Sequence, residues 1–118
     1  MRKRTREVAM TPTMFHILLA LADENRHGLG IVREVERRTE GEVRLGPGTL
    51  YGSIKKLLGF GYIEEPGERP RPEDDDPRRR YYRISSSGRR VLEEEAVRMD
   101  RLVRVARDKA VFKGSATP

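Results

Sequence analysis

Apolar residues recur every three or four positions through most of this chain, and each break in the rhythm carries glycine, proline or clustered charge. Met14, Ile17, Leu18 and Leu21 share one broad face with Ala20 and Ala22 filling between them, which predicts a helix over Pro12–Asp23. Thr11 and Pro12 supply an N-cap hydroxyl and a proline at the first helical position. The pattern breaks from Asn25 to Gly28. A second helix is expected from about Gly28 to Thr39, with Ile31, Val32 and Val35 inward, Arg33, Glu34, Glu36, Arg37 and Arg38 toward water, and Gly41 as its stop. Residues Glu42 to Leu45 read as a short extended piece.

The third helix, Pro47 to about Leu58, keeps its apolar residues on one side. Leu50, Ile54 and Leu57 fall at i, i+4 and i+7, while Gly48, Thr49, Gly52, Lys55 and Lys56 form the opposite face. Gly48 and Gly52 each cost up to about 1 kcal/mol relative to alanine in a helix, less in the first turn. A helix that only covers a core has little use for that cost. One that enters a DNA groove does, because small residues near its start let the backbone approach the duplex.

Two short strands are expected at Tyr62–Glu65 and Arg80–Ile84, joined by a loop rich in proline and charge. Ser85 then caps a last helix from about Ser86 to Phe112. In it Leu92, Ala96, Met99, Val103, Ala106 and Ala110 are spaced 4, 3, 4, 3 and 4, a heptad seam. A helix of that length, roughly 40 Å, is too long for so small a domain to cover, so a partner chain is expected along the seam. The fold class is therefore mainly α with a small β-hairpin wing: a winged helix-turn-helix domain over 11–85, preceded by a basic segment at 1–10. A C-terminal dimerisation helix over 86–112 and a tail at 113–118 complete the chain.

With 118 residues, 36% of them apolar, one domain and a modest core are all the chain can build. Twenty-five Lys+Arg against 19 Asp+Glu leave a net charge of +6, which favours a polyanionic partner. The chain has no cysteine, so there is no disulfide framework and no thiolate metal site, as suits a cytoplasmic protein. No apolar run approaches the roughly 18 residues of a membrane span, and the basic start lacks the apolar block of a signal peptide. His16 and His27 are too few and too isolated for a metal site or a catalytic dyad, and neither a P-loop nor a nucleophile-base order is present. No enzyme activity, cofactor or metal is expected.

The wing loop is the second cationic feature. Arg69, Arg71, Arg78, Arg79 and Arg80 are candidates for DNA backbone or minor-groove contact, yet Glu73 to Asp76 would repel phosphate. Three readings stand: the acidic tip points away from DNA, the acids pair with the arginines in the free protein, or the segment is a solvated loop. For the basic start a disordered terminus is the expectation over a DNA-tracking arm. His27 has two readings, as a cap on the second helix or a phosphate contact.

Taken together, several short runs resemble the PadR-type transcriptional regulators. They are His27 to Ile31; Pro47 to Tyr51 with Ile54, Lys56 and Leu57; Gly61 to Ile63; Arg79 to Tyr82; Ile84 and Ser85; and Gly88 and Leu92. The chain departs from the family's usual pattern at Leu29, where an aromatic is common, and at Ile54, Leu58 and Ser85. The resemblance implies a dimeric winged-helix repressor in which the last helix packs against a second copy. It implies that Thr49 and Tyr51 approach DNA, Tyr51 through its hydroxyl to a phosphate or else packed half-buried against the wing. Lys55 and Lys56 would meet phosphates or a guanine edge. A small-molecule effector near the dimer interface is a further family property. The expected function is thus sequence-specific regulation of transcription by a homodimer on an inverted-repeat operator in double-stranded DNA. A winged-helix protein-interaction adaptor and a non-specific architectural DNA binder are the alternatives.

Overall fold

The computed structural model describes residues 10–67, 76 and 78–112. The chain runs α1 (Pro12–Ala20), β1 (Arg26–His27), α2 (Gly28–Arg38), α3 (Pro47–Phe60), β2 (Ile63–Glu64), β3 (Tyr81–Ile84) and α4 (Ser86–Asp108). It is the mainly helical, small-sheet winged architecture that the periodicity predicts.

Thr11 caps α1 by accepting the Met14 N–H at 3.1 Å, with Pro12 at the helix start. The helix closes at Ala20 rather than Asp23 because side chains from elsewhere take its last carbonyls. Arg26 Nε donates to the Ala20 carbonyl and Arg89 Nη2 to that of Ala22, each at 2.8 Å. α2 is capped by His27, whose Nδ1 accepts the Gly30 N–H at 3.2 Å. α3 ends in a left-handed turn at Gly61, φ +78°, with the Tyr62 N–H reaching back to the Leu57 carbonyl at 3.0 Å.

The sheet differs from a two-stranded wing. Its order is β1-β3-β2, antiparallel throughout, with Arg26 opposite Tyr82, His27 opposite Tyr81, Ile63 opposite Ile84 and Glu64 opposite Arg83. The extended piece before α3 forms no strand. The Val43 N–H is instead taken by the Thr39 hydroxyl at 3.1 Å, which itself donates to the Val35 carbonyl, so this stretch continues the closure of α2.

Ile17, Leu18, Leu21, Ile31, Val35, Leu50, Ile54 and Leu57 are fully buried and meet Ile63, Tyr82 and Ile84 from the sheet. The start of α4 joins this core through Leu92. It docks on the turn after α3: the Ser85 hydroxyl donates to the Gly61 carbonyl at 2.6 Å and accepts the Gly88 N–H at 3.0 Å. Gly88 sits so close to that turn that an added methyl would lie 2.0 Å from the Tyr62 carbonyl oxygen. Beyond Glu95 no residue of α4 is buried.

The seam of α4 is divided by this arrangement. Leu92 belongs to the core of its own domain, while Ala96 and Val103 are exposed and Met99 and Ala106 half-buried. Ala110 leaves the seam: α4 stops at Asp108, short of Phe112. Ala110 adopts φ +58° as the Val111 N–H closes onto the Ala106 carbonyl at 2.9 Å. Arg107 covers the Phe112 ring at 5.3 Å on the same turn.

Candidate nucleic-acid interface

α3 is held by Leu50, Ile54 and Leu57, which fixes the direction of its opposite face. On that face Gly48, Thr49, Gly52, Lys55 and Lys56 are all exposed. A methyl group built on Gly48 or Gly52 would meet nothing within 4 Å, so neither glycine is needed for packing inside the chain. The two lysines extend from the middle of the helix and, among the described residues, make no ion pair.

Tyr51 stands at the edge of this face, 51% exposed. Its ring leans over the start of α2: a methyl on Gly28 would come within 2.4 Å of the hydroxyl oxygen and 3.0 Å of Cζ. The side chain is thus neither sealed against the wing nor detached from the domain. It borders an open cleft of about 530 Å³ that is also lined by His27, Leu29, Tyr82 and the arginines at the foot of the wing. Burial, reinforced by Glu65 and Tyr51, raises the Tyr82 phenol above its ordinary value, so it is protonated at neutral pH.

The sequence-derived arginines divide. Arg78, Arg79 and Arg80 are exposed and converge on this cleft, whereas Arg69, Arg71 and the acids from Glu73 to Asp75 lie outside the described residues, as does the basic start before Met10. Arg78 is engaged by Asp76, which accepts from the Arg78 backbone N–H at 2.9 Å and from Nε and Nη2 at 3.1 Å. These bonds hold the Asp76 carboxyl at a pKa of about 2, so it is ionised at neutral pH. Arg80 lies 3.6 Å from Glu65 and Arg83 3.0 Å from Glu64 across the β2–β3 pair. Pairing of wing acids with wing arginines in the free chain therefore holds at Asp76. Arg79 Nη1 approaches His27 Nε2 at 3.1 Å.

His27 takes the helix-cap reading that the sequence offers, while Gly28 is the site residue that residue-by-residue reading does not single out. A two-residue strand leaves no periodicity to detect, and the closeness of Gly28 to Tyr51 joins positions far apart in the chain. The available signal is a histidine immediately before a glycine at a helix start. Among the described residues no group of His, Asp and Glu side chains could hold a metal ion, and no helix is long and apolar enough to cross a membrane.

Along α4 the face that carries Gly88 and Leu92 into the core continues past the domain as Ala96, Met99, Leu102, Val103 and Ala106. Leu102 is 55% exposed there, a large apolar side chain outside the strict heptad spacing.

Comparison with known proteins adds four likenesses. The family described as "Transcriptional regulator PadR-like family" matches residues 17–94. Among curated relatives, "Transcriptional regulator Rv3488" of Mycobacterium tuberculosis is 31% identical over 99 residues, covering 84% of this chain and 86% of that protein. An "Uncharacterized 37.1 kDa protein in transposon TN4556" from Streptomyces fradiae is 38% identical over 86 residues. That match takes in 73% of this chain, which spans only 22% of the Streptomyces protein. Among solved structures, a PadR family transcription regulator from Clostridium difficile superposes with a TM-score of 0.64 at 21% identity, over 81% of this chain and 97% of that one, a likeness of fold.

Proposed function

Because the chain belongs to the PadR-like family of transcriptional regulators, we propose that it binds double-stranded DNA as a homodimer and represses transcription from an inverted-repeat operator. The observation that carries this reading is the outer face of α3. Its two glycines have open space above them, with Thr49 and Tyr51 beside them and Lys55 and Lys56 one to two turns further along. A helix that accepts the propensity cost of glycine with nothing packed above it is matched to a surface that the isolated chain lacks. In this arrangement the start of α3 enters the major groove, Lys55 and Lys56 neutralise phosphates, and Arg78, Arg79 and Arg80 reach the flanking backbone. Arg69 and Arg71, outside the described residues, are candidates for the same contact on their charge alone. The protein acts in the cytoplasm, where its operator is.

Dimerisation through α4 is supported by the apolar stripe of Met99, Leu102, Val103 and Ala106, which continues the core-facing side of the helix past the end of its own domain. A second copy laid along it removes those side chains from water and brings two α3 helices under one two-fold axis. Half-sites would then be centred about one helical turn apart, ~34 Å, or a multiple of it. An effector held near this interface is the natural input to such a dimer.

The test is binding of the purified protein to its own promoter duplex and to a scrambled duplex over a salt series. A regulator shows preference for the promoter and a steep fall of affinity with salt. Equal affinity for both duplexes is the signature of the architectural binder, and loss of salt dependence that of the protein-docking adaptor.

A further inference from the structure

The two strands that pair with β3 hold different halves of it. β2 faces its inner end, with Ile63 opposite Ile84 and Glu64 opposite Arg83, next to the start of α4. β1 faces its outer end, with Arg26 opposite Tyr82 and His27 opposite Tyr81. Arg78, Arg79 and Arg80 leave the sheet from that outer end, so the ladder that steadies them is the one with β1. Two residues make few backbone bonds, and a pairing so short is marginal unless something else holds the strand.

The side chain of Arg26 supplies that hold. It is only 17% exposed, and its guanidinium reaches three places at once. Nε donates to the Ala20 carbonyl at the end of α1, 2.8 Å away. Nη2 lies 3.6 Å from Glu34 of α2, while Asp23 and Glu24 approach from the α1–β1 turn at 3.6 and 3.7 Å. Its Cβ closes on the first turn of α2, where a methyl on Gly30 would stand 3.5 Å from it. Glu34 is itself 13% exposed and also pairs with Arg37 and Arg38, so the anchor on α2 is fixed from three sides. A planar fork met by a carbonyl on one edge and a carboxylate on another has its direction set, as a solvated ion pair does not.

We propose that Arg26 is a positioning residue for DNA binding: it ties β1 to α1 and α2, and so sets the angle at which the wing presents Arg78, Arg79 and Arg80 to the duplex. This step rests on the DNA-binding reading above. With three acids around it, Arg26 is not itself a phosphate ligand. α3 is oriented by other means, the buried side chains of Leu50, Ile54 and Leu57. The two parts of the interface are thus fixed by separate contacts, apolar packing for α3 and an arginine fork for the wing. Losing the fork loosens the wing without turning α3. Glu34 then keeps Arg37 and Arg38 as partners, which leaves the helical core in place.

The experiment uses the full chain with two variants. Arg26→Met keeps an apolar stem but neither donor nor charge. Arg26→Lys keeps the charge beside Glu34 but has no fork to bond Ala20 at the same time, and is the milder change for folding. Affinity is measured for the promoter duplex and a scrambled duplex across a potassium chloride series. Amide hydrogen exchange at the β1–β3 pair is followed in the free protein. Arg26→Met should speed that exchange about tenfold relative to the core helices. It should weaken both duplexes about tenfold and flatten the slope of log affinity against log salt by about one to three, as wing contacts to phosphate are lost. The ratio of promoter to scrambled affinity should stay within about twofold of the parent, because base reading belongs to α3. Arg26→Lys should fall between the parent and Arg26→Met in each readout.

An arginine that only stabilises the fold behaves differently. Its loss lowers the urea midpoint, yet the salt slope and the exchange at β1–β3 relative to the core stay those of the parent. That result overturns the positioning role and leaves DNA binding intact. Loss of promoter preference along with the slope also overturns it, since the effect would then run through α3. If Arg26→Met does not fold, Arg26→Lys decides by the same readouts. A parent chain that binds neither duplex overturns the proposed function instead.

Discussion

The Tyr51 hydroxyl and Gly28 are in such close approach that a single methyl group on the glycine would stand 2.4 Å from the phenolic oxygen. The contact couples the outer face of α3 to the start of α2, and it sets the height at which Tyr51 stands above the cleft. Gly28→Ala should therefore tilt the tyrosine ring and weaken DNA binding, while Tyr51→Phe relieves the clash. A double-mutant cycle on stability should give a coupling energy on the order of 1 kcal/mol, the alanine being better tolerated beside phenylalanine. Additive effects of the two changes would show that the ring does not rest on Gly28 in solution.

Gly52→Ala separates stability from function. Nothing lies within 4 Å of the added methyl, so the change should stabilise the isolated protein by roughly 0.5–1 kcal/mol through helix propensity. The same methyl projects from the face assigned to DNA and should lower promoter affinity. Urea denaturation and fluorescence anisotropy on one preparation read both. A variant that gains stability and keeps full affinity would place the groove elsewhere.

Gly88→Ala should act in the opposite sense. The methyl meets backbone, 2.0 Å from the Tyr62 carbonyl oxygen, and a carbonyl in a capped turn has little room to yield. Separation of the α4 start from the α3–β2 turn should destabilise the domain by about 1–3 kcal/mol. The check is a lowered urea midpoint with an unchanged slope.

Val103→Glu tests the role of the free part of α4. Val103 is exposed in the single chain, so the carboxylate should cost the isolated domain little. In a helix-to-helix interface it would be desolvated without a partner, and the protein should become monomeric by sedimentation equilibrium and lose operator affinity. A dimer of parent strength would exclude this stripe as the contact.

His16 makes stability depend on pH. Its Nδ1 lies 3.2 Å from Arg38 Nη1, and burial together with the Arg38 charge lowers its pKa below the ordinary 6.5. The folded state thus binds a proton less readily than the unfolded state. Stability is fully present above pH 6.5 and declines as the pH falls from there through the lowered folded value. Relative to His16→Gln, the parent should lose stability between pH 7 and pH 5 in urea titrations. Parallel curves for the two proteins would mean that the His16–Arg38 contact is absent in solution.

Much of the fold is legible from periodicity because amphipathic helices are local objects. The positions of Leu50, Ile54 and Leu57 alone establish which side of α3 meets the core, and so which side carries Gly48, Thr49, Gly52, Lys55 and Lys56. Caps are equally local: Thr11, Pro12, Pro47 and Ser85 all mark helix starts within a residue, and the glycine at 61 closes α3. The strand at Arg26–His27 is different in kind. Two residues have no periodicity of their own, and their extended form comes from pairing with Tyr81 and Tyr82 more than fifty positions later.

What the sequence by itself determines about this protein is therefore the set of helices, the polarity of each face and the excess of positive charge. The first two depend on residues three or four apart, and the charge on composition alone. Only the tertiary structure decides which neighbours those faces meet. It assigns Leu92 to its own domain's core, leaving Met99, Leu102, Val103 and Ala106 outside it, and it takes Ala110 out of the helix. It also brings His27, Arg79 and Tyr51 to one cleft. These outcomes rest on contacts between segments distant in sequence, where a methyl group at Gly28 or Gly88 decides whether two elements can touch.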